Sequence, residues 1–149
     1  MTGRRIASSV RIVRLRGLVL ILSCAGALAV PALAAAPTIA KKTPGGTLFA
    51  ETTAFNASNW KSLYSAYTAK YKSHCPYAQF TDAQSKARQQ AGTLTTKIMS
   101  SRIVGPKAYL GYQILHAGKV LFTVKASSPD VYLKIGGLWY DEYEPNHGC

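Results

Sequence analysis

The sequence has few acidic residues and none of the familiar catalytic signatures. Only six Asp and Glu stand against 18 Lys and Arg in its 149 residues. A Gly-x-Ser-x-Gly elbow, a P-loop, a dinucleotide-binding fingerprint and a zinc-protease helix are all missing from it. The common serine-hydrolase, nucleotide-dependent and zinc-protease chemistries are therefore not expected, and no cofactor is predicted.

Charge is also missing from Gly17 to Ala40, and this gap predicts export. Five arginines precede it, an apolar run extends from Leu18 to Val30, and Ala32-Leu33-Ala34 follows. A basic start, an apolar core and a small-residue site are the parts of a signal peptide. We predict a signal peptide of bacterial kind at residues 1–34, cleaved between Ala34 and Ala35, and therefore a secreted or cell-envelope protein.

Three other interpretations of this segment stay open. Gly17 to Ala36 has about 20 apolar residues, near the length of an uncleaved membrane anchor, although Pro31 and the small-residue site favour cleavage. Ile21 to Cys24 resembles an incomplete lipoprotein signal. Arg4-Arg5 resembles an incomplete twin-arginine signal. If the segment is not cleaved, it provides the one membrane contact that we expect.

The basic character is divided between the signal and the domain. Thirteen of the 18 basic residues follow Ala34, together with all six acidic residues. They alternate with polar and apolar residues, as on a solvated surface, but such a surface would also attract an anionic envelope polymer or lipid. Nucleic acid is not an expected partner of an exported protein.

Cleavage would remove Cys24 and leave Cys75 and Cys149. In an oxidising compartment two cysteines allow one intramolecular disulfide, which is our prediction. With reduced thiols, His74 and His147 would add two possible zinc or copper ligands. Because adjacent ligands at positions 74 and 75 make poor geometry, we predict no metal site.

The helices are expected in the first half of the domain, after a flexible leader at residues 35–46. A short helix is predicted at Thr47 to Phe55, and a longer one from Trp60 to the break at Cys75-Pro76. A third should begin at the capping box Thr81 to Gln84 and end at Gly92. The second helix carries a nearly all-aromatic stripe, which predicts a core or pocket face: Trp60, Leu63, Tyr64, Tyr67 and Tyr71.

From Thr95 the hydrophobic period becomes two, which predicts strands. Two-residue turn sequences separate five of them, so we expect an antiparallel meander. The inward face should include Leu110, Tyr112, Ile114 and Phe122. Helices followed by such strands indicate an α+β fold with the helices on one side of the sheet. The predicted strands are Thr95–Val104, Lys107–His116, Lys119–Ser127, Asp130–Ile135 and Leu138–Tyr143.

This order of elements resembles the NTF2-like superfamily, the cone-shaped fold of the SnoaL and ketosteroid isomerase families. The residues that carry the resemblance are Asn59 to Tyr64, Cys75-Pro76 ahead of Phe80, and the hairpin Asp130 to Lys134 with Gly136 to Tyr140. It extends from about Thr47 to Tyr143. The resemblance implies a curved sheet and a pocket that holds a small apolar ligand, performs acid–base chemistry or serves as a scaffold, and fold alone does not choose among these.

His116 is a candidate for a general base in such a pocket, with Tyr112 or Tyr67 as hydrogen-bond donor. It lies beside a turn, however, and we favour the interpretation that it is solvated at the rim of the sheet. Glu51 should have an exposed side on its helix, and the other acids should be solvated. Without a buried acid, we favour a non-enzymatic exported binding or scaffold module. An isomerase or dehydratase that uses His116, and adhesion through the basic surface, are the alternatives.

Overall fold

The computed structural model describes residues 38–142 and 149. The predicted signal peptide, its cleavage site at Ala34 and Ala35, and His147 lie outside the described residues. Four helices precede five strands: α1 Pro44–Asn56, α2 Trp60–Ser65, α3 Ala69–His74, α4 Tyr77–Ala91, β1 Leu94–Val104, β2 Lys107–His116, β3 Lys119–Val124, β4 Asp130–Ile135 and β5 Leu138–Asp141. The helices pack on an antiparallel sheet, and the predicted α+β class is confirmed. None of these helices is long and apolar enough to cross a membrane.

The described part of the domain begins earlier than predicted. Thr43 caps α1 by accepting a hydrogen bond from the Gly46 amide, and Pro44 provides the first helical residue, whose missing N–H costs nothing there. Before the helix, Lys41 O accepts a hydrogen bond of 2.8 Å from the Trp139 amide. Residues 38–46, which we assigned to a flexible leader, are therefore bonded to the domain.

The predicted long second helix is wrong, because it is divided into α2 and α3. Between them, Asp141 N donates to Ala66 O at 3.0 Å and Thr68 N donates to Asp141 O at 2.9 Å. Thr68 also caps α3 through a hydrogen bond from the Tyr71 amide. The end of β5 thus takes backbone groups that a continuous helix would have used.

Helix α4 begins at Tyr77, one turn before the predicted capping box. Thr81 lies inside the helix, and its hydroxyl donates to Ala78 O at 2.9 Å. The predicted stop at Gly92 is confirmed, since Gly92 ends the helix with a positive φ of 67°. The capping-box sequence at Thr81 therefore does not mark the start of α4, because the helix already begins after the N-cap residue Pro76.

The sheet is not the predicted meander. Its order is β1-β2-β4-β5, and β3 also pairs with β2. One edge of β2 carries β1, while the other carries β4 opposite residues 107–110 and β3 opposite residues 112–116. Gly111 lies between these halves, where an added Cβ would stand 2.5 Å from Ser100 Oγ and 3.2 Å from Ala126 N. The close approach of three chain segments therefore requires glycine there.

The buried residues form two clusters. The sheet cluster lies between α1 and the strands and contains Leu48, Ala108, Leu110, Tyr112, Ile114, Tyr132 and Trp139. The helical cluster lies among the helices and contains Ala54, Phe55, Leu63, Tyr71, Cys75 and Phe80. Strand β3 contributes less than predicted, since Val120 and Phe122 are 49% and 52% exposed.

Candidate functional site: a cavity with a buried glutamate

A cavity of about 320 Å³ lies between α1, α4 and the sheet. Its walls are largely apolar and include Leu48, Phe55, Ala87, Ala91, Leu94 and Ile114. The small alanines of α4 leave room that larger side chains would occupy. This volume is at the lower end of the range for sites that bind small molecules.

Glu51 lines this cavity from the inner face of α1. It is 7% exposed, and Tyr132 donates a hydrogen bond of 2.9 Å to its Oε2. Its Oε1 is buried and has no hydrogen-bond partner among the described residues. Our expectation that Glu51 has an exposed side is therefore wrong, because α1 turns this residue toward the sheet.

Burial changes the ionisation of Glu51. The loss of water raises the pKa of its carboxyl to about 8, and the nearby Asp130 also raises it, while the hydrogen bond from Tyr132 lowers it. At neutral pH the group is therefore mainly the uncharged acid. Since Oε2 already accepts a hydrogen bond, the acid proton belongs on Oε1, which makes that atom a donor.

Asp130 is the second buried acid, at 8% exposed. Tyr112 donates a hydrogen bond to its Oδ2. Burial and the adjacent Asp130 both raise the pKa of the Tyr112 hydroxyl, which keeps it protonated. We had expected Asp130 to be solvated after its Ser-Pro turn, but it begins β4 opposite Leu110 and faces the interior. Two buried carboxyl–tyrosine pairs, Glu51 with Tyr132 and Asp130 with Tyr112, are thus present in the domain.

A second cavity, of about 370 Å³, adjoins the first. The two share Tyr67, Gln84 and Phe122 as wall residues. The second one is more polar, because its other walls include Tyr71, Tyr112, Asp130, Asp141 and Glu142. Tyr67 stacks on Tyr71 with ring centroids 4.1 Å apart, and burial raises the pKa of both hydroxyls. Neutral tyrosine donors therefore surround the boundary between the cavities.

His116 lies apart from both cavities. It is exposed at the end of β2, and its Nδ1 stands 3.0 Å from Thr93 O. It lines neither cavity, whereas Tyr67 lines both and Tyr112 lines the second. The structure therefore does not assemble the proposed His116 site and places the buried acids where we expected none.

The remaining predicted site residues lie as follows. Leu63, Tyr71, Leu110, Tyr112 and Ile114 are buried. Trp60, Tyr64 and Tyr67 pack against the helical cluster while partly exposed, and Phe122 stands at the rim of both cavities. Glu51, Asp130 and Tyr132 were not among the predicted site residues. The one available signal was that Glu51 is flanked by apolar residues.

Cys75 and Cys149 lie at disulfide distance with their Cα atoms 5.4 Å apart, as predicted. His74 is exposed near them, with Nδ1 2.8 Å from Lys70 O. Within residues 38–142 and 149, no group of three or more His, Cys, Asp or Glu side chains is arranged to hold a metal ion. The cysteine pair therefore joins the end of α3 to Cys149.

No family model matches the chain, and no curated protein matches it.

Proposed function

We propose that this protein is an exported, NTF2-like binding module that holds a small, mainly apolar molecule in the Glu51 cavity. The observation that carries the proposal is an apolar cavity of about 320 Å³ with a buried carboxyl whose Oε1 has no partner among the described residues. A buried polar atom without a partner costs free energy, and a ligand acceptor would remove that cost. Apolar walls with one placed donor are typical of small-molecule sites.

The ionisation of Glu51 indicates the polarity of the ligand. An uncharged acid donates through its proton, so a carbonyl, ether or hydroxyl oxygen is a suitable acceptor. A ligand carboxylate is less suitable, because the nearby Asp130 would repel it. We therefore infer a neutral apolar ligand with at least one oxygen acceptor, bound at the cell envelope or outside the cell. The predicted signal peptide and the paired cysteines support that location.

Binding is tested with N-phenyl-1-naphthylamine, a neutral fluorophore whose emission rises in apolar surroundings. Ala87→Phe on α4 would fill the cavity and should weaken probe binding at least about tenfold, as expected when apolar contact area is lost. Ala78→Phe lies on the exposed side of the same helix and should bind the probe like the parent. Equal binding by both variants, or no binding by the parent, contradicts the proposal.

The donor role is tested by competition of cyclohexanone and cyclohexane against the probe. If Glu51 donates, the ketone competes better than the hydrocarbon in the parent. Glu51→Gln keeps a neutral donor and should keep this preference, while Glu51→Leu should abolish it. A preference that survives in Glu51→Leu removes the donor role but leaves the cavity as a binding site.

An acid–base enzyme of the isomerase or dehydratase class is the second candidate. The pKa of Glu51, at about 8, lies close to working pH, where a group can both take and return a proton. Deuterium exchange into cyclohex-2-enone, followed by NMR, would detect such chemistry. Because the carboxylate is the base, the rate should rise with pH through about 8 and vanish in Glu51→Gln. Loss in His116→Ala alone would favour the His116 version instead.

A further inference from the structure

Two turns lie side by side at one end of the sheet. Gly105-Pro106 joins β1 to β2, and Gly136-Gly137 joins β4 to β5. Lys107 stands opposite Leu133 in the pairing of β2 with β4, and Lys134 N donates to Pro106 O at 2.8 Å. We call residues 102–107 and 134–137 the hairpin end. All of them are exposed.

The hairpin end carries aliphatic side chains where surface turns are usually polar. Ile103, Val104 and Ile135 are 56%, 51% and 48% exposed. Leu133 and Leu138 adjoin them and are half-buried. Neighbouring exposed aliphatic groups on a turn surface indicate contact with an apolar environment.

The same end is basic. Arg102, Lys107 and Lys134 belong to it, and Lys41 and Lys42 lie beside it, because Lys41 pairs with Trp139 of β5. All five cations are exposed. The sequence has no acidic residue in 83–129 or in 131–140, so the strands and turns that form the hairpin end contribute no negative charge there.

The exposed aliphatic side chains and the basic charge of the hairpin end together indicate which kind of partner it can bind. A second copy of the chain would bring the same cations face to face, which repels. A soluble polyanion would satisfy the cations but leave the aliphatic side chains in water. An anionic bilayer offers phosphate groups to the cations and an acyl boundary to the aliphatic groups.

We propose that the hairpin end docks the domain on the surface of a bilayer that contains anionic phospholipid. Val104 and Ile135 enter the boundary between headgroups and acyl chains, and the five cations contact the phosphates. The docking is separate from ligand binding, because none of the hairpin-end residues lines the Glu51 cavity. It holds the domain at the membrane surface through the turns of the sheet.

Sedimentation with vesicles tests the proposal. The parent should bind vesicles of equal parts phosphatidylglycerol and phosphatidylcholine and bind pure phosphatidylcholine poorly. Lys107→Gln/Lys134→Gln should lower the partition coefficient about twenty-fivefold, at about fivefold for each cation. Val104→Ser/Ile135→Ser should lower it about tenfold through lost apolar burial. The matched control Lys119→Gln/Val120→Ser changes one cation and one equally exposed valine at the opposite end, and should bind like the parent.

A depth measurement separates the hairpin end from the amino-terminal segment, which all variants share. Tryptophan replaces Val104 in one variant and Val120 in another, and lipids brominated in the acyl chain quench nearby indoles. After subtraction of the parent signal from Trp60 and Trp139, emission from position 104 should fall on binding and emission from position 120 should not. This readout also applies if a serine variant fails to fold.

Three results would overturn the proposal. The first is binding that depends on the lysines but not on Val104 and Ile135, which would mean adhesion to any polyanion. The second is equal binding to neutral and anionic vesicles. The third is equal quenching at positions 104 and 120.

Discussion

The strands of this domain are joined mainly to their neighbours in sequence, whereas the helices depend on residues far along the chain. The β1–β2 pairing runs from Val104 opposite Lys107 to Leu94 opposite His116 across a two-residue turn. In contrast, Asn56 at the end of α1 binds Leu94, and α3 is joined to Cys149. The sheet is therefore stabilised mainly by contacts between strands that are close in sequence, which we call its local framework. The helices are stabilised by contacts with residues that are distant in sequence. The Glu51 cavity lies between these two regions.

Loss of the cysteine bridge should have the largest effect on this difference. Cys75→Ala/Cys149→Ala frees a separation of 74 residues, and we expect a loss of about 4 kcal/mol in the free energy of unfolding. Amide exchange should increase more in α3 and α4 than in β1 and β2. Urea denaturation and hydrogen exchange measure both, with Gln79→Ala at an exposed position on α4 as the control that should change neither. A uniform rise in exchange would contradict the comparison.

Asn56 provides the second test, because it links the two regions directly. Its Nδ2 donates to Leu94 O and its Oδ1 accepts from Leu94 N, both at 2.8 Å. Asn56→Ala removes both bonds and should cost about 2 kcal/mol of unfolding free energy. The control Asn59→Ala removes only the exposed cap of α2 and should cost about 1 kcal/mol. Thermal unfolding of both variants shows which one loses more unfolding free energy. A larger loss in Asn59→Ala than in Asn56→Ala would contradict the prediction.

The pH dependence of stability is the third test, with the smallest change per unit of pH, and it concerns Glu51 at the boundary between the sheet and the helices. Between pH 4.5 and about 8 the folded chain keeps a proton on Glu51 that the unfolded chain releases. Stability should therefore fall as pH rises through this window, by up to about 1.4 kcal/mol per pH unit from this group. Glu51→Gln should remove that part of the slope in urea titrations, while the exposed Asp82→Asn should keep it. An unchanged slope in Glu51→Gln would show that its carboxyl is not the buried acid described.

The local framework also decides how much of the fold the sequence predicts. Three strands were nearly correct in both bounds, β1, β2 and β4, because Gly105-Pro106 and the alternation of side chains act within a few residues. The second helix was wrong, because its break depends on Asp141, which lies more than 70 residues further on. Neither period nor capping sequence reports such a contact. The pairing of both β3 and β4 with β2 was not predicted, because it also depends on contacts between residues that are distant in sequence.

The candidate site was less predictable than the fold. Several aromatic wall residues followed from the stripe that includes Tyr67 and Tyr71. The buried state of Glu51 did not, because helix α1 has no clear polar and apolar faces in its sequence of Gly, Thr and Ala. The packing of α1 on the sheet makes that carboxyl an interior group, and Tyr132 on β4 donates a hydrogen bond to it.

The division of one edge of β2 between β3 and β4 has a consequence for the order of folding. The β1–β2 hairpin has the most local contacts in the sheet and should form first, since local contacts cost the least loop entropy. Its free edge then offers two half-length templates to two six-residue strands. A chain that placed β4 on the half of the edge that β3 occupies would separate Asp130 from Tyr112, so this carboxyl–tyrosine pair favours the observed arrangement.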